Sequence, residues 1–188
     1  MNRHLPLAVA ILLAVTSSGM AQDVAPRVAI GDRVPAFTVL QLDGKNVKWS
    51  ELARDPRTGQ PRPVVLTYWC SFCHSCRHME NKLEQLSRDF HGRAAIFALD
   101  ASANESPEKI KAFLHGKKLA LPVVLDPGGR STQLFGVQVT TTTLVIDAQG
   151  TLRYRGRFAD GDAAHAETSL KAVLAGQEVP LKETPLRG

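Results

Sequence analysis

Residues 64–76 decide how the chain folds, and they read Val64-Val65-Leu66-Thr67-Tyr68-Trp69-Cys70-Ser71-Phe72-Cys73-His74-Ser75-Cys76. The first six of these residues are β-branched, aliphatic or aromatic and include no turn former, which predicts a buried strand. From Cys76 onwards, apolar residues recur at spacings of three and four, at Met79, Leu83, Leu86 and Phe90. This period predicts an amphipathic helix over residues 73–90.

The three cysteines, Cys70, Cys73 and Cys76, therefore fall at a turn from a strand into a helix. Free backbone N–H groups and the positive end of the helix dipole at such a turn favour a thiolate over a thiol, and Cys73 lies nearest to them. Two cysteines separated by two residues form a dithiol that can close to a disulfide. Both Cys70–Cys73 and Cys73–Cys76 have this spacing, so the pattern predicts thiol–disulfide redox chemistry.

Length and charge narrow the possible functions. The chain has 188 residues, enough for one domain with a sizeable core, and its net charge is +5 at pH 7. The basic residues are scattered, apart from a local density over residues 54–63, and no aromatic side chains are interleaved with them. We therefore expect a solvated surface and no nucleic-acid partner.

Residues 1–21 have the pattern of a signal peptide. A short positive start precedes an apolar run over residues 5–15, and the small residues Gly19 and Ala21 mark a cleavage site after Ala21. Because the apolar run is short for a membrane span, we expect a periplasmic protein with no stable membrane anchor after cleavage. Disulfides persist in such an exported compartment.

The rest of the chain alternates strands and helices. Asp43-Gly44 predicts an N-terminal hairpin, and residues 147–150 predict a second one. Between them, strands alternate with helices, which requires parallel neighbours. These elements together predict an α/β fold with a mixed central sheet, helices on both faces and an N-terminal β-hairpin extension.

The sequence also predicts how the chain divides into segments. A last helix is predicted over residues 163–175, with Asp162 as its N-cap. We expect a linker over residues 22–30, one domain over residues 31–176, and an extended, peripheral tail over residues 177–188.

These segments resemble the thioredoxin-like TlpA/ResA and redoxin (AhpC/TSA-like) group of proteins. The resemblance begins at Gly31-Asp32-Arg33-Val34-Pro35-Ala36-Phe37-Thr38 and continues through residues 42–52. The active-site sequence of TlpA-type proteins, F-W-A-x-W-C-P-P-C-R, aligns without a gap with residues 68–77, and residues 136–147 are similar to the second active-site loop. The resemblance implies a thioredoxin-like fold and thiol–disulfide oxidoreductase activity.

The alignment with this family also implies roles for the cysteines. It makes Cys73 the exposed nucleophile and Cys76 the resolving thiol. It places Cys70 where the family has an alanine.

The sequence departs from the family at three further positions. Thr141 stands where the family has a cis-proline beside the nucleophile. Thr67 stands where thioredoxins have a buried acid, and its uncharged hydroxyl cannot accept the proton of Cys76. Met79 stands where TlpA-type proteins often have a glutamate, and Glu80 follows it about 100° further round the helix.

Residues beside the dithiol are expected to shape the site, namely Trp69, Phe72, His74, Ser75 and Thr141. A His74 imidazolium over the helix start would stabilise the Cys73 thiolate and make the disulfide a better oxidant. Trp69 and Phe72 are expected to form walls of the site.

Cys70 leaves three interpretations open: a buried small hydrophobic residue, a redox relay, or a metal ligand. In the last case Cys70, Cys73 and Cys76 would together hold a soft metal such as Cu(I). Otherwise we expect no metal and no cofactor.

Three functions are compatible with these residues. We favour an exported thiol–disulfide oxidoreductase that exchanges a Cys73–Cys76 disulfide with protein thiols or disulfides. The alternatives are a thiol peroxidase, in which Cys73 is oxidised to sulfenic acid, and a Sco-like Cu(I)-binding chaperone. The peroxiredoxin-like pattern Pro63-x-x-x-Thr67-x-x-Cys70 lies three residues early for this alignment. A peroxidase would also need an arginine at the thiolate, for which Arg77 and Arg155 are the candidates.

Overall fold

The computed structural model describes residues 27–185, so the predicted signal peptide at residues 1–21 lies outside the described residues. The described part contains, in chain order, β1 (Thr38–Gln41), β2 (Asn46–Lys48), α1 (Trp49–Leu52), β3 (Val64–Tyr68), α2 (Arg77–Asp89), β4 (Ala95–Asp100), α3 (Pro107–Lys117), β5 (Val123–Leu125), α4 (Arg130–Phe135), β6 (Thr142–Ile146), β7 (Leu152–Arg157) and α5 (His165–Leu174). None of the helices in this part combines the length and the apolar character that crossing a membrane requires.

Seven strands form one sheet in the order β2-β1-β5-β4-β3-β6-β7. β3 pairs in parallel with β4, and β4 pairs in parallel with β5, because a helix connects the two strands of each pair. The hairpins β1–β2 and β6–β7 are antiparallel, as are the pairs β1–β5 and β3–β6. The predicted mixed sheet with an N-terminal β-hairpin is confirmed.

The central strand β3 separates two apolar layers. Because side chains alternate across a strand, Val65 packs in one layer and Val64 and Leu66 pack in the other, all three with no exposed surface. Residues of α2, α3 and α5 complete the first layer, and residues of α1 and α4 complete the second. Helices therefore lie on both faces, as predicted, and the end of β3 leads directly into the cysteines.

The helix after the cysteines begins later than the sequence predicts. We expected it from residue 73, but α2 begins at Arg77, and residues 74–76 form turns. The N–H of Cys76 donates to the Sγ of Cys73 at 3.2 Å, so a side chain takes the place of the backbone acceptor that a continuous helix would offer. Cys73 consequently lies on a turn ahead of the helix.

The last helix also begins later than predicted. α5 starts at His165, and its N-cap position is Ala164, whose side chain makes no capping hydrogen bond. Asp162 is therefore not the cap. Asp160 and Ala163 exchange two backbone hydrogen bonds of 3.0 and 2.9 Å, which close a tight turn around Asp162.

The folded domain extends beyond residues 31–176 at both ends. Val28, in the predicted linker, is buried, and its N–H donates to a carbonyl of α4 at 2.9 Å. Residues 177–185, which we call the C-terminal segment, are extended but not peripheral. Within this segment Val179 is buried, and the hydroxyl of Thr184 accepts the N–H of Arg157 at 2.7 Å.

Gly156 on β7 makes room for the C-terminal segment. A Cβ at this position would lie 2.5 Å from the hydroxyl of Tyr154 and 2.8 Å from the backbone nitrogen of Thr184. We expect Gly156→Ala to lower the free energy of unfolding by about 1–3 kcal/mol, because an added carbon in a packed region displaces its neighbours. Chemical denaturation measures this loss. Gly128→Ala is the control, since nothing lies within 4 Å of a Cβ there, and equal losses in the two variants would contradict the prediction.

Candidate active site

Cys73 lies on the turn between β3 and α2 and is half-buried, whereas Cys76 has no exposed surface. The Sγ of Cys73 is 3.2 Å from the hydroxyl oxygen of Thr140 and 3.2 Å from the backbone nitrogen of Cys76. The turn therefore presents one accessible sulfur in front of a buried one.

The surroundings of the two sulfurs push their pKa values apart. Partial burial acts to raise the pKa of the Cys73 thiol, but hydrogen bonds from the Cys76 thiol, from the Thr140 hydroxyl and from the N–H groups of Cys76 and Ser75 lower it overall. Burial, followed by the hydrogen bond with Cys73, raises the pKa of Cys76 to about 12. Cys73 is thus the sulfur that ionises, which agrees with the roles that the resemblance implies.

The hydroxyl of Thr140 stabilises the Cys73 thiolate. We expect Thr140→Val to raise the pKa of Cys73 and to slow its alkylation at neutral pH, since the thiolate loses a hydrogen-bond donor. The rate of iodoacetamide alkylation as a function of pH measures the change. Thr140→Ser retains the hydroxyl and is the matched control, so an equal slowing in both variants would contradict the prediction.

Thr141 shapes the site through its backbone. Its φ of 67° lies in the left-handed region, where a β-branched residue is an outlier. Two hydrogen bonds hold it there: its N–H donates to the carbonyl of Tyr68 at 2.7 Å, and its carbonyl accepts the N–H of Phe158 at 3.2 Å. The residue that contacts the nucleophile is its neighbour Thr140, which the sequence analysis did not single out.

Thr67 is hydrogen-bonded inside the sheet. Its side chain has no exposed surface, and its hydroxyl oxygen lies 3.0 Å from the hydroxyl oxygen of Thr143 on β6. The two hydroxyls satisfy each other inside the sheet.

Glu80, for which the sequence pattern predicted no role, is buried beside the turn. Its Oε1 accepts hydrogen bonds from the indole N–H of Trp69 at 3.0 Å and from Arg77 at 2.7 Å. Arg77 also donates to the carbonyl of Ser71 and lies 4.3 Å above the ring of Phe113. The network connects the end of β3, the cysteine turn and the first turn of α2.

Two carboxyl groups lie on the other side of Ser71. Glu105, in the loop between β4 and α3, accepts the N–H of Ser71 at 2.7 Å and also its hydroxyl. Burial, followed by the hydrogen bond with Glu105, raises the pKa of Asp100 to about 7. Burial acts to raise the pKa of Glu105 as well, but hydrogen bonds from Asp100 and Ser71 lower it overall. Asp100 is therefore the member of the pair that keeps its proton to higher pH.

Cys70 is buried near these carboxyl groups. Burial, followed by the charges of Cys73, Asp100 and Glu105, raises its pKa to about 11. A thiol with this pKa is a weak nucleophile at neutral pH.

The other predicted site residues lie around the turn. Trp69 is buried, and Phe72 is 63% exposed. His74 and Ser75 are exposed, and the ring centroid of His74 lies 5.8 Å from that of His78. Trp69, Cys70 and Phe72 also line a groove of about 280 Å³ that continues to Thr140. The effect of His74 on the thiolate stays a prediction.

Residues 27–185 bring no three His, Cys, Asp or Glu side chains together in a way that could hold a metal ion.

Comparison with known proteins places this site in a family. Residues 30–155 match the AhpC/TSA family. Thioredoxin-like protein YneN of Bacillus subtilis is 23% identical over 124 residues, which are 65% of this chain and 68% of YneN. Thiol-disulfide oxidoreductase ResA of Bacillus thuringiensis subsp. konkukian is 27% identical over 125 residues, which are 66% of this chain and 67% of ResA.

The fold is shared with a solved structure. A thiol:disulfide interchange protein of the thioredoxin family from Chlorobium tepidum superposes with a TM-score of 0.59 at 16% identity, over 78% of this chain and 98% of that one. This likeness shows the fold alone. Because the family match covers more than half of the sequence, it confirms the predicted family. The chain belongs to the AhpC/TSA family and has a thioredoxin-like fold.

Proposed function

We propose that this protein is an exported thiol–disulfide oxidoreductase that exchanges a Cys73–Cys76 disulfide or dithiol with partner proteins. The observation that carries the proposal is the half-buried Cys73 sulfur, which accepts the N–H of Cys76 at 3.2 Å and has a lowered pKa. The printed names of ResA and YneN support the same class of activity.

In the reducing direction, the Cys73 thiolate attacks one sulfur of a partner disulfide. That bond breaks, a mixed disulfide forms, and the first partner sulfur leaves and takes up a proton. Cys76 then loses its proton and attacks the Sγ of Cys73, which releases the second partner sulfur. Two electrons pass to the partner, whose two sulfurs gain the two protons. The reverse sequence oxidises a partner dithiol.

The mixed disulfide activates Cys76. Besides burial, the contributions that raise the pKa of Cys76 are the hydrogen bond with Cys73 and the charge of Cys73. Once Cys73 is bonded to the partner, it carries no charge and accepts no such hydrogen bond. The Cys76 thiol therefore ionises more readily at the step in which it attacks the mixed disulfide.

Export is part of the proposal. It is supported by the signal-peptide pattern of residues 1–21. An oxidising compartment outside the cytoplasm also supplies protein disulfides and thiols as partners.

The other residues that the peroxidase alternative would use, Thr67, Cys70, Arg77 and Arg155, make contacts elsewhere or have a raised pKa. Thr67 pairs with Thr143, and Cys70 has a raised pKa. Arg77 is bound to Glu80 and to a carbonyl of the turn, and Arg155 is bound to Glu183 and to two backbone carbonyls. Neither arginine is therefore free to face a peroxide at the thiolate.

A disulfide map tests the proposed function. The protein is reduced under anaerobic conditions, re-oxidised in a glutathione buffer, alkylated and analysed by peptide mass spectrometry. We expect a reversible Cys73–Cys76 bond with Cys70 alkylated. A Cys70–Cys73 bond, or three cysteines that remain reduced throughout, would contradict the proposal.

A further inference from the structure

Cys70 competes in principle with the resolving thiol. It is separated from Cys73 by two residues, as Cys76 is, so either thiol could attack the mixed disulfide formed on Cys73. We propose that Glu105, supported by Asp100, is a positioning residue that reserves this attack for Cys76. The inference rests on the proposed function, because it concerns the second step of that exchange.

The hydrogen bonds of Ser71 are the first support. Ser71 follows Cys70 directly, and its N–H and hydroxyl donate to the two carboxylate oxygens of Glu105, the N–H at 2.7 Å. Its carbonyl accepts a hydrogen bond from Arg77, which Glu80 in turn binds. Charged side chains from the β4–α3 loop and from α2 thus hold Ser71 in place. Because hydrogen bonds to charged groups are roughly twice as strong as neutral ones, they keep the turn in the form in which Cys70 is buried.

The charge beside Cys70 is the second support. The charges of Asp100 and Glu105 oppose ionisation of Cys70, in addition to burial and the charge of Cys73. In the mixed disulfide Cys73 is uncharged, yet the carboxylate charge remains. For Cys76, the contributions other than burial that raise its pKa disappear at that moment, because they come from Cys73 itself. The mixed disulfide therefore favours ionisation of Cys76 over that of Cys70.

The other charged and polar groups around the carboxyl pair keep the negative charge on Glu105. Asp100 is 1% exposed, and its Oδ1 accepts the N–H of Ser102 at 2.7 Å. Lys109 on α3 attracts the Glu105 carboxylate. The carboxylate that binds Ser71 is thus also the member of the pair that ionises first as the pH rises.

The ratio of the two possible disulfides tests the inference. Reduced protein is mixed with less than one equivalent of glutathione disulfide, quenched with acid, alkylated with N-ethylmaleimide and analysed by peptide mass spectrometry. In Glu105→Gln we expect the ratio of Cys70–Cys73 to Cys73–Cys76 disulfide to rise about threefold for each unit by which the Cys70 pKa falls, because the larger thiolate fraction is partly offset by the lower nucleophilicity of the thiolate. We also expect alkylation of Cys70 to begin at a lower pH in this variant, which loss of packing alone would not produce.

Two further variants separate charge from position. Glu108→Gln removes an exposed carboxylate in the first turn of α3 and should change neither the ratio nor the pH profile. Ser71→Ala removes only the hydroxyl bond and retains the Glu105 charge, so we expect a smaller rise in the ratio and an unchanged pH profile. If Glu105→Gln does not fold, the ratio of the two disulfides in Ser71→Ala tests the role of Glu105.

The outcomes distinguish this inference from the proposed function. A ratio that stays the same in Glu105→Gln, or in Ser71→Ala if only that variant folds, overturns the role of Glu105 and leaves the Cys73–Cys76 exchange standing. If the natural chain forms no Cys73–Cys76 disulfide at all, the proposed function itself is overturned.

Discussion

Cys73→Ser is expected to slow thiol–disulfide exchange by about 10³-fold or more, since a serine hydroxyl is not ionised at neutral pH and does not replace a thiolate nucleophile. The remaining thiols do not compensate, because Cys70 and Cys76 are buried, and burial is the largest cause that raises the pKa of each. The measurement is the rate at which the reduced protein reduces a peptide disulfide.

Cys76→Ser is expected to block the second step rather than the first. Cys73 still attacks the partner, so a mixed disulfide accumulates and is seen as added mass in the intact protein. Cys70→Ala is the matched control, because it removes the third sulfur and leaves the dithiol in place. If Cys70→Ala lost exchange and Cys76→Ser retained it, the resolving thiol would be Cys70 and not Cys76. That result would contradict the mechanism.

Glu80→Ala is expected to lower the free energy of unfolding by about 2–3 kcal/mol. The alanine leaves the buried indole N–H of Trp69 without its acceptor and removes the ionic partner of Arg77. Part of the cost is offset because Arg77 is partly exposed and reaches water. Urea denaturation measures the loss.

Glu80→Gln is the matched control for this prediction. The amide oxygen can still accept the Trp69 N–H, while the charge that binds Arg77 is removed. We expect a smaller loss than in Glu80→Ala. A loss in Glu80→Ala of less than about 0.5 kcal/mol, the level of an ordinary surface substitution, would show that the buried network contributes little.

The parts of the fold that depend on local pattern were predictable from the sequence. The apolar run of β3 and the period of Met79, Leu83 and Leu86 specify a strand and a helix face on their own. The start of α2 was not predictable, because the N–H of Cys76 turns to the sulfur of Cys73. That choice depends on a side-chain acceptor, which hydrophobic periodicity does not encode.

The cysteine turn was predictable, but its supports were not. Ser71 and Glu105 are 34 residues apart in the chain, and Cys73 and Thr140 are 67 apart. Such contacts arise only when β3, β4 and β6 lie side by side. For Thr140, the available signal was its position next to Thr141 in a run of threonines.

The C-terminal segment has a consequence for the behaviour of the protein at high concentration. β7 is an edge of the sheet, and the segment occupies backbone groups along it: the N–H of Arg155 donates to the carbonyl of Lys182 at 3.1 Å, and the carbonyl of Arg155 accepts the N–H of Thr184 at 3.4 Å. An uncovered edge strand is a template for pairing with another chain. By covering these groups, the segment protects the β7 edge of the sheet from pairing with the edge of another molecule.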